Sequence, residues 1–586
     1  MAKIWLWNSI ATRKRSPSDG FLENGLALLK GYLEDRGHSV KVVDWQKNEF
    51  YNSLCYPWLR ALNRLSTALM FRLGKDGKAY AKFYFPIFNL IQELVSFVRV
   101  HRMKHHLKDF ARSAVSSGVR IFGIKVWYGE AFVLSDWLVR YLKKKDPSIL
   151  VIAGGFHATL YEEDFLKNSS FDLGIISEGE RPLEIIMGIA DEMSGRWDKD
   201  TALRLISEMA GKGELKNIVY RDNGAIKVSE RYTPLMDKKA FPKYDAENIE
   251  GKLRIHVLLD SLGCPWGKCN FCVHWHFYPK FYPRPPEAVI AEMEYMIKKG
   301  VALFRFAGSE TPPAFGVKIA RIILEKGLKV RYSIGCRAVS GISKSEERYR
   351  SVVMDYEIML RAGLVAIFMG GETGNDLIND KIMNKGVCRD DIVATIRAFK
   401  EAKKNTATRA YASLALIYPA PLTDGVSMEK VYDDNLALIK DTDPDSVIVS
   451  PCTPFKQARW FAEAARFGFM LPSDFIPSIM RYEYVLYKPT SLWPPLGDLR
   501  VQGMAFRQWL DECDRLRKAV ERNGVPADLT DEHFLMIEGA GYTGKSGLMK
   551  FKEETAIDLV SSDYPNIERI TAQTNAMSRS LAEENG

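Results

Sequence analysis

The chain has 586 residues, of which 46% are hydrophobic and 26% are charged, and its formal net charge is +9. This length has room for three or more domains, and the composition is ordinary for a globular protein. The eight cysteines are sparse, which argues against a secreted disulfide framework. The first apolar run is too short for a signal peptide and is typical of a strand, so we expect a cytoplasmic protein.

The first 190 residues alternate strand patterns with helical patterns such as Leu22, Leu26, Leu29 and Leu33. Five short apolar runs with helical crossovers predict a doubly wound, Rossmann-like parallel sheet. The glycine pair after the fourth run fits either a close approach of the backbone to a ligand or a tight turn. Loops at the carboxyl ends of such strands bind ligands, and the candidates there are Asn8, Ser9, Trp127, Tyr128, Gly154, Gly155, His157, Glu178 and Gly179.

A basic segment, residues 47–112, interrupts this domain between its second and third strands. It holds twelve Lys and Arg against four Asp and Glu, a net charge of +8 that accounts for nearly the whole imbalance of the chain. The charge is therefore no argument for a nucleic-acid partner. Its longest apolar run, residues 83–98, is broken by Asn89, Gln92 and Glu93, and we predict that it falls short of a membrane span.

The same segment holds twelve aromatic residues besides its charge. Two interpretations stay open. Basic helices with large apolar faces lie on anionic membrane surfaces or cover lipid-like ligands. Alternatively, the segment is a helical insert that packs on the domain, with its Lys and Arg in water and its aromatic residues in a small core.

A hairpin pattern around Asn223 and Gly224 and a linker follow the first domain. A second alternating region then begins, in which six strand patterns with helices between them predict an incomplete (β/α)6 barrel. The remaining residues are predicted to be helical. The predicted domains are 1–190, with the insert 47–112, then 191–248, 249–470 and 471–586.

One motif near the C-terminus is rejected. "GAGYTGKS", residues 539–546, matches the phosphate-loop pattern G-x4-G-K-S. A true phosphate loop follows a strand of a parallel sheet, whereas the residues from Asp531 onward have helical spacing. We therefore expect no nucleotide site there.

Three cysteines lie within nine residues, directly after the first barrel strand: Cys264, Cys269 and Cys272. Zinc could take Cys269 and Cys272 together with His274 and His276, but this leaves Cys264 unused. Three thiolates alone can bind three irons of a [4Fe–4S] cluster and leave the fourth iron open. The pattern favours the cluster.

The cysteine trio and several segments around it resemble those of the radical S-adenosylmethionine (SAM) enzymes that carry a cobalamin (B12)-binding domain. The family's trio is C-x3-C-x2-C, and this chain has one additional residue between the first two cysteines. The resemblance covers about residues 3–480 and rests further on "FAGSE", "FMGGETGND", "IMNKG", "GGFHATL" and "ISEGE". It implies SAM contacts from Phe271, Gly308, Ser309, Glu310, Arg337 and Glu372, and cobalamin contacts from the strand-end residues named above. For Glu310 and Glu372 the alternative is a helix N-cap acid.

The resemblance also implies the chemistry. The motif D-x-H-x-x-G, which supplies a histidine to cobalt elsewhere, is absent, so cobalamin should bind with its own base displaced and no histidine below the metal. The implied enzyme is a C-methyltransferase that uses a 5′-deoxyadenosyl radical and methylcobalamin on an unactivated carbon. Alternatives are a cyclase or ring-rearranging enzyme without methyl transfer, and a cobalamin sensor or carrier with a degenerate barrel.

The expected partners are an external electron donor, flavodoxin or ferredoxin, and a small-molecule, lipid-like or peptide substrate. Peripheral contact with a membrane is the further alternative that the basic segment raises. Methylthiotransferases of RNA carry additional N-terminal cysteines and a basic β-domain at the end. This chain has only Cys55 early and a helical pattern at the end, so we expect no nucleic-acid partner.

Overall fold

The computed structural model describes residues 2–76, 78–232, 236 and 240–586, with backbone only for 75, 76 and 78–81. Part of the predicted linker, at 234, 235 and 237–239, lies outside the described residues. The N-terminal strands are β1 (Lys3–Asn8), β2 (Phe21–Leu22), β3 (Ser39–Asp44), β4 (Ile121–Lys125), β5 (Leu150–Gly154), β6 (Leu173–Ile175), β7 (Ile218–Asp222) and β8 (Ala225–Val228). The helices are α1 (Asn24–Glu34), α2 (Asn48–Ser53), α3 (Pro57–Asp76), α4 (Lys78–Ser116), α5 (Glu130–Lys145), α6 (Phe156–Tyr161), α7 (Glu163–Lys167), α8 (Glu180–Glu192) and α9 (Lys199–Gly211).

The first sheet has the strand order β3-β1-β4-β5-β6-β7-β8. The first five strands in this order are parallel and most of their residues are buried, because helices cover both faces of the sheet. This confirms the predicted doubly wound α/β domain. The predicted hairpin forms at Asn223 and Gly224, and it extends the sheet by two antiparallel strands.

The second domain is an open parallel barrel with the strand order β16-β15-β14-β13-β12-β9-β2, as predicted except for β2. Its strands are β9 (Leu253–Leu258), β10 (Ser261–Leu262), β11 (Tyr282–Pro283), β12 (Leu303–Phe306), β13 (Arg331–Arg337), β14 (Leu364–Glu372), β15 (Tyr411–Ile417) and β16 (Ser446–Ser450). Its helices are α10 (His274–Phe277), α11 (Pro286–Ile297), α12 (Pro313–Glu325), α13 (Glu346–Arg361), α14 (Arg389–Thr406) and α15 (Met428–Thr442), with a π-helix at Ile378–Met383.

The C-terminal region is mainly helical. Phe534 stacks on Tyr411 of β15 with ring centroids 4.5 Å apart, so this region covers the start of the barrel strands. Its elements are α16 (Arg459–Ala462), β17 (Phe469–Met470), α17 (Phe475–Met480), β18 (Arg500–Val501), β19 (Met504–Ala505), α18 (Phe506–Arg522), α19 (Asp531–Gly539), α20 (Gly544–Ser561) and α21 (Pro565–Glu583). The stretch 539–546 connects two helices, so it lacks the strand that a phosphate loop follows.

The two domains share one piece of chain. After β1 the chain crosses to the barrel, where β2 pairs with β9 at its open edge. Lys252 Nζ lies 2.5 Å from Asp44 Oδ2, and neither side chain is more than 2% exposed. Asn24 also donates to the carbonyl of Val257. These contacts fix the N-terminal sheet against the first barrel strand.

One helix among the described residues, Lys82–Ser116, is long and apolar enough to cross a membrane by length and composition. The sequence had led us to expect that the run 83–98 falls short. Only 22% of the most apolar window of this helix is buried. Length and composition alone do not show that a helix crosses a membrane.

Replacing Lys252 with Met should destabilise the junction, because Asp44 is then left buried without its counter-charge. Breaking a buried ion pair on one side costs about 3–5 kcal/mol of unfolding free energy, whereas an exposed pair contributes less than about 1 kcal/mol. Lys326→Met, whose partner Glu294 is 36% exposed, is the matched control. Urea unfolding measures both variants, and equal midpoints would contradict the importance of this pair.

Candidate functional site

The three clustered cysteines lie in the loop that follows β9. All three are free thiols and partly buried. Cys264 Sγ donates a hydrogen bond to Glu310 Oε2 at 2.8 Å. Burial, assisted by Glu310, raises the pKa of Cys264 to about 11, and burial raises the pKa of Cys269 to about 11. These thiols hold protons that metal ligation must displace.

The zinc alternative requires its ligands to surround one metal ion. Among the described residues, no group of three or more His, Cys, Asp and Glu side chains lies close enough to hold one metal ion. His274 Nδ1 lies 2.9 Å from Ser309 Oγ, and burial lowers the pKa of His274. An iron–sulfur cluster distributes its thiolate ligands over several iron atoms, so it does not need them around a single point.

A buried aspartate fixes the loop after β12. Asp260 accepts hydrogen bonds from the Gly308 amide and the Thr311 hydroxyl, each at 2.8 Å. Ser261 Oγ donates to the carbonyl of Glu310 at 3.0 Å. Burial raises the pKa of Asp260 to about 6 despite these hydrogen bonds. Sequence reasoning missed Asp260, although an acid directly after an apolar strand was a usable signal.

Glu372 ends β14 beside a second unpredicted residue. Its backbone is left-handed, with φ 62°, and the register between β14 and β15 shifts at this point. Lys385 Nζ donates to Glu372 Oε1 at 2.5 Å, and both side chains are buried. Burial opposes the charge on Lys385, but Glu372 outweighs it and the pKa of Lys385 is raised. A Cβ on Gly370 would come within 2.5 Å of Glu372 Oε1, so only glycine leaves room for this pair.

Arg337 ends β13 on the same side of the barrel. Its guanidinium lies 5.2 Å from the centre of the Trp266 ring and donates to the carbonyl of Lys385. Trp266 Nε1 donates to the carbonyl of Asn384 at 2.7 Å. A Cβ on Gly386 would come within 2.3 Å of the Trp266 ring. The Arg337 Nε is buried without a partner, so one donor of the guanidinium remains for an acidic ligand.

The segment Ile382–Gly386 joins these parts to the cysteine loop. The Asn270 amide donates to the carbonyl of Met383 at 2.9 Å, and its side chain donates to that of Ile382 at 3.0 Å. Trp460 Nε1 also donates to the Ile382 carbonyl, and the Trp460 ring lies 5.7 Å from that of Phe271. Phe271 therefore packs within a fixed aromatic pair beside the cysteines.

The residues present fit a cluster and SAM. Three free thiols supply ligands for iron. Glu310 and Glu372 are buried carboxylates that can accept from amino and hydroxyl groups, and the unpartnered Arg337 Nε suits a carboxylate. The structure thus brings together Phe271 and the predicted residues at the ends of β12, β13 and β14.

Two cavities lie at the carboxyl ends of the N-terminal strands. The first, of about 220 Å³, lies between the sheet and α1 and α8, and its lining includes Gly154, Gly155, Glu178 and Gly179. A Cβ added to Gly154 would meet nothing within 4 Å, so its open side faces this space. The second cavity, of about 440 Å³, is lined by Ser9, Trp127 and Tyr128 among others. Both cavities touch Lys125 and Leu259, so together they form one crevice between the first sheet and the barrel.

Two of the predicted cobalamin residues do not line the crevice. Asn8 is fully buried, and its Oδ1 accepts from Trp127 Nε1 at 3.0 Å, so it positions that ring. His157 packs on Phe132 and Tyr161, with ring centroids 4.9 Å away in each case, because the short helix α6 turns it into the domain. Burial lowers the pKa of His157 to about 3, which keeps it neutral. This corrects the expectation that His157 faces the ligand.

Lys125 is the crevice residue that sequence reasoning missed. Its Nζ lies 2.5 Å from Glu23 Oε1 and 4.9 Å from the centre of the Trp127 ring. It ends β4, and its side chain lies close to Gly155, where a Cβ would come within 3.0 Å of Lys125 Cγ. Its position at the end of a predicted strand was the signal in the sequence that could have identified it.

Residues 259–414 match the family model of the Radical SAM superfamily, and residues 95–187 match that of the B12 binding domain. The chain carries the two domains of a cobalamin-binding radical SAM enzyme. This confirms the family resemblance seen in the sequence. The enzyme uses a [4Fe–4S] cluster, SAM and cobalamin, and it needs an external electron donor, as radical SAM enzymes do.

Solved structures of such enzymes share the fold. OxsB, a cobalamin-dependent SAM radical enzyme with aqua-cobalamin and SAM bound, is 13% identical with a TM-score of 0.59, over 95% of this chain and 70% of OxsB. The methyltransferase TsrM from Kitasatospora setae, with cobalamin and a [4Fe–4S] cluster bound, is 14% identical with a TM-score of 0.59, over 96% of this chain and 99% of TsrM.

TsrM with tryptophan substrate and a SAM analogue gives 13% identity and a TM-score of 0.53, over 81% of this chain and 79% of that one. At these identities the likeness shows the fold alone. No curated protein matches the chain in sequence.

Replacing Arg337 with Lys should weaken SAM binding by about tenfold or more, because lysine keeps the charge but loses the planar fork that pairs with a carboxylate. Equilibrium dialysis with labelled SAM on reconstituted protein measures this. Arg331→Lys is the matched control on the same strand, since Arg331 donates to the carbonyl of its neighbour Val330. Unchanged affinity in Arg337→Lys would separate this arginine from SAM.

Proposed function

We propose that the enzyme is a C-methyltransferase that acts on an unactivated carbon of a substrate held between its two domains. The observation that carries this is the shared crevice, in which the ends of the N-terminal strands meet Leu259 directly after β9. When bound, the cluster and SAM supply a 5′-deoxyadenosyl radical, and methylcobalamin supplies a methyl group. TsrM, a methyltransferase, has the same fold over nearly its whole length, which supports methyl transfer as the outcome.

The thiols of Cys264, Cys269 and Cys272 are the proposed cluster ligands. Each thiol must lose its proton to ligate iron, and the hydrogen bond from Cys264 to Glu310 is then given up. Glu310 becomes available as an acceptor for an amino group. This coupling supports the assignment of Glu310 to the amino group of SAM.

The remaining proposed SAM contacts follow from their chemistry. Arg337 offers an unpartnered Nε to a carboxylate, Glu372 suits the ribose hydroxyls, and Phe271 suits the adenine. Gly308 and Ser309 lie in the loop that Asp260 fixes through the Gly308 amide. Such fixed donors and acceptors lose little entropy on binding, which is how a protein orients a reactive cofactor.

The proposed cobalamin site is the crevice itself. Gly154, Gly155 and Gly179 leave space beside the strand ends, while Trp127 and Tyr128 supply aromatic walls. The lining residues, all of which the structure describes, include no histidine. This supports cobalamin bound with its base displaced and without a histidine on the metal.

The predicted domain limits, the cytoplasmic location and the range of substrates stay proposals. The crevice lining mixes Arg13, Arg15 and Lys125 with apolar and aromatic side chains. Such a lining suits a small molecule, a lipid-like compound or a peptide with both polar and apolar parts.

Methyl transfer can be followed with SAM that carries a deuterated methyl group. Reconstituted enzyme with reductant and an extract of a deletion strain should place the label in one product, seen by mass spectrometry. The variant with Ala at positions 264, 269 and 272 should lose the brown absorbance, all SAM cleavage and the label, while it keeps cobalamin. Cys388→Ala, a half-buried cysteine outside the trio, is the control and should behave as the parent.

The other outcomes of this experiment discriminate between functions. SAM cleavage with a rearranged or cyclised product and no label would replace the methyltransferase with a cyclase or ring-rearranging enzyme. No 5′-deoxyadenosine at all from the loaded parent would favour a cobalamin sensor or carrier. SAM cleavage by the triple Ala variant would refute the cysteine assignment.

Bound cobalamin should show no nitrogen ligand from the protein, because no histidine lines the crevice. Electron paramagnetic resonance of the cobalt(II) form is the measurement, and a spectrum without nitrogen splitting is expected. Splitting that persists in His157→Gln would point to the base of cobalamin itself, and splitting that disappears would point to His157. The first result would contradict the base-displaced assignment, and the second would contradict the buried position of His157.

A further inference from the structure

The helices α3 and α4 carry an unusual outer surface. Nine of their large apolar side chains point to solvent rather than into the domain, with exposed fractions between 43% and 83%. Soluble proteins rarely leave so many together in water. We call this set the apolar face: Trp58, Leu62, Leu65 and Leu69 on α3, and Phe83, Ile87, Leu90, Leu94 and Phe97 on α4.

The apolar face follows helical periodicity. Its members recur at steps of three and four residues on each helix, so each helix carries one continuous stripe. Among the described side chains between residues 56 and 97, the exposed charges are confined to Arg72, Lys82 and Glu93. A stripe of this length with so few exposed charges beside it is a binding surface rather than a scatter of single exposed residues.

The inner side of the same helices combines a small apolar cluster around Leu59 and Val95 with buried polar groups. Gln92 Nε2 donates to Asn63 Oδ1 at 2.8 Å, and the Tyr84 hydroxyl donates to Ser66 Oγ at 2.8 Å. Arg99 is fully buried and donates to three backbone carbonyls. Polar groups that are hydrogen-bonded on the inner side, together with large apolar groups on the outer side, are also found in helices that face lipid.

The stripe on α4 is too short to cross a bilayer. It runs from Phe83 to Phe97, fifteen residues or about 22 Å of helix, against a hydrocarbon core of about 30 Å. Lys82 precedes the stripe on α4. Four exposed or partly exposed cations follow it: Arg102, Lys104, Lys108 and Arg112. The side chains of Lys75, Asp76, Lys78 and Tyr80, which also belong to the basic segment, lie outside the described residues. An apolar stripe with cations at its ends suits a helix that enters one leaflet at the headgroup boundary.

We propose that α3 and α4 bind the surface of a membrane that contains anionic phospholipid, with the apolar face at the boundary between headgroups and acyl chains. A second copy of the chain fits this face less well. The cations at the ends of the stripe on α4 are exposed or partly exposed, so pairing two copies would bring like charges together, whereas anionic lipid compensates them.

The helices are tied to the wall of the crevice. Arg13, which lines the second cavity, donates to the Gln92 side chain at 3.0 Å and to its carbonyl at 3.1 Å. Arg99 donates to the carbonyl of Tyr51, another lining residue, at 2.8 Å. Membrane binding would therefore hold the crevice near the lipid surface. The binding itself does not depend on which reaction the enzyme catalyses.

Co-sedimentation of the full chain with vesicles tests the proposal. We expect binding to phosphatidylcholine–phosphatidylserine vesicles at low salt, weaker binding at high salt because ions screen the attraction, and little binding to pure phosphatidylcholine. The double variant Leu90→Glu/Phe97→Glu should weaken binding by at least about tenfold, because two large apolar contacts are replaced by charges. Leu90 and Phe97 are 68% and 70% exposed, so the two substitutions leave the core intact and the variant should fold.

The matched control replaces exposed apolar residues elsewhere. Leu324→Glu/Met354→Glu, at positions 44% and 57% exposed on α12 and α13, should bind vesicles as the parent does. No binding of the parent to anionic vesicles at low salt would overturn the proposal. So would equal weakening by the control. A dimer in lipid-free buffer that only Leu90→Glu/Phe97→Glu dissociates, without vesicle binding, would assign the apolar face to a second copy instead.

Discussion

The position of the segment Ile382–Gly386 is the constraint on which the barrel site depends. It begins within the last residues of a π-helix, a geometry that recurs at functional sites, and it turns through left-handed residues at Asn384 and Gly386. Its backbone carbonyls accept from the cysteine loop and from Arg337, and its one lysine side chain pairs with Glu372. A small displacement of this segment would therefore disturb every wall of the site together.

Much of this architecture was predictable from the sequence, and the reason is periodicity. Strand and helix patterns repeat along the chain, so both sheets and the order of the domains followed from apolar spacing. The cysteine trio was visible because its members are neighbours in sequence. Glu310 and Glu372 were identified through the family resemblance, from the segments FAGSE and FMGGETGND.

Other parts were not predictable, because they depend on contacts between distant elements. Nothing in the spacing of Lys385 shows that it is buried against Glu372. His157 follows a glycine pair at a strand end, as a ligand-facing residue would, but one turn of α6 places it among aromatic rings. Which side of the helices in the segment 47–112 carries the apolar residues was also not predictable, because composition does not say which residues face water.

The strand β2 bears on how the protein can be divided. Phe21 and Leu22 come from the N-terminal part of the chain but complete the barrel sheet beside β9. A fragment that begins at residue 249 would leave β9 as an exposed sheet edge, which invites association with other edges. A gene fusion or truncation that places its boundary in the linker would therefore separate the barrel from a strand of its own sheet.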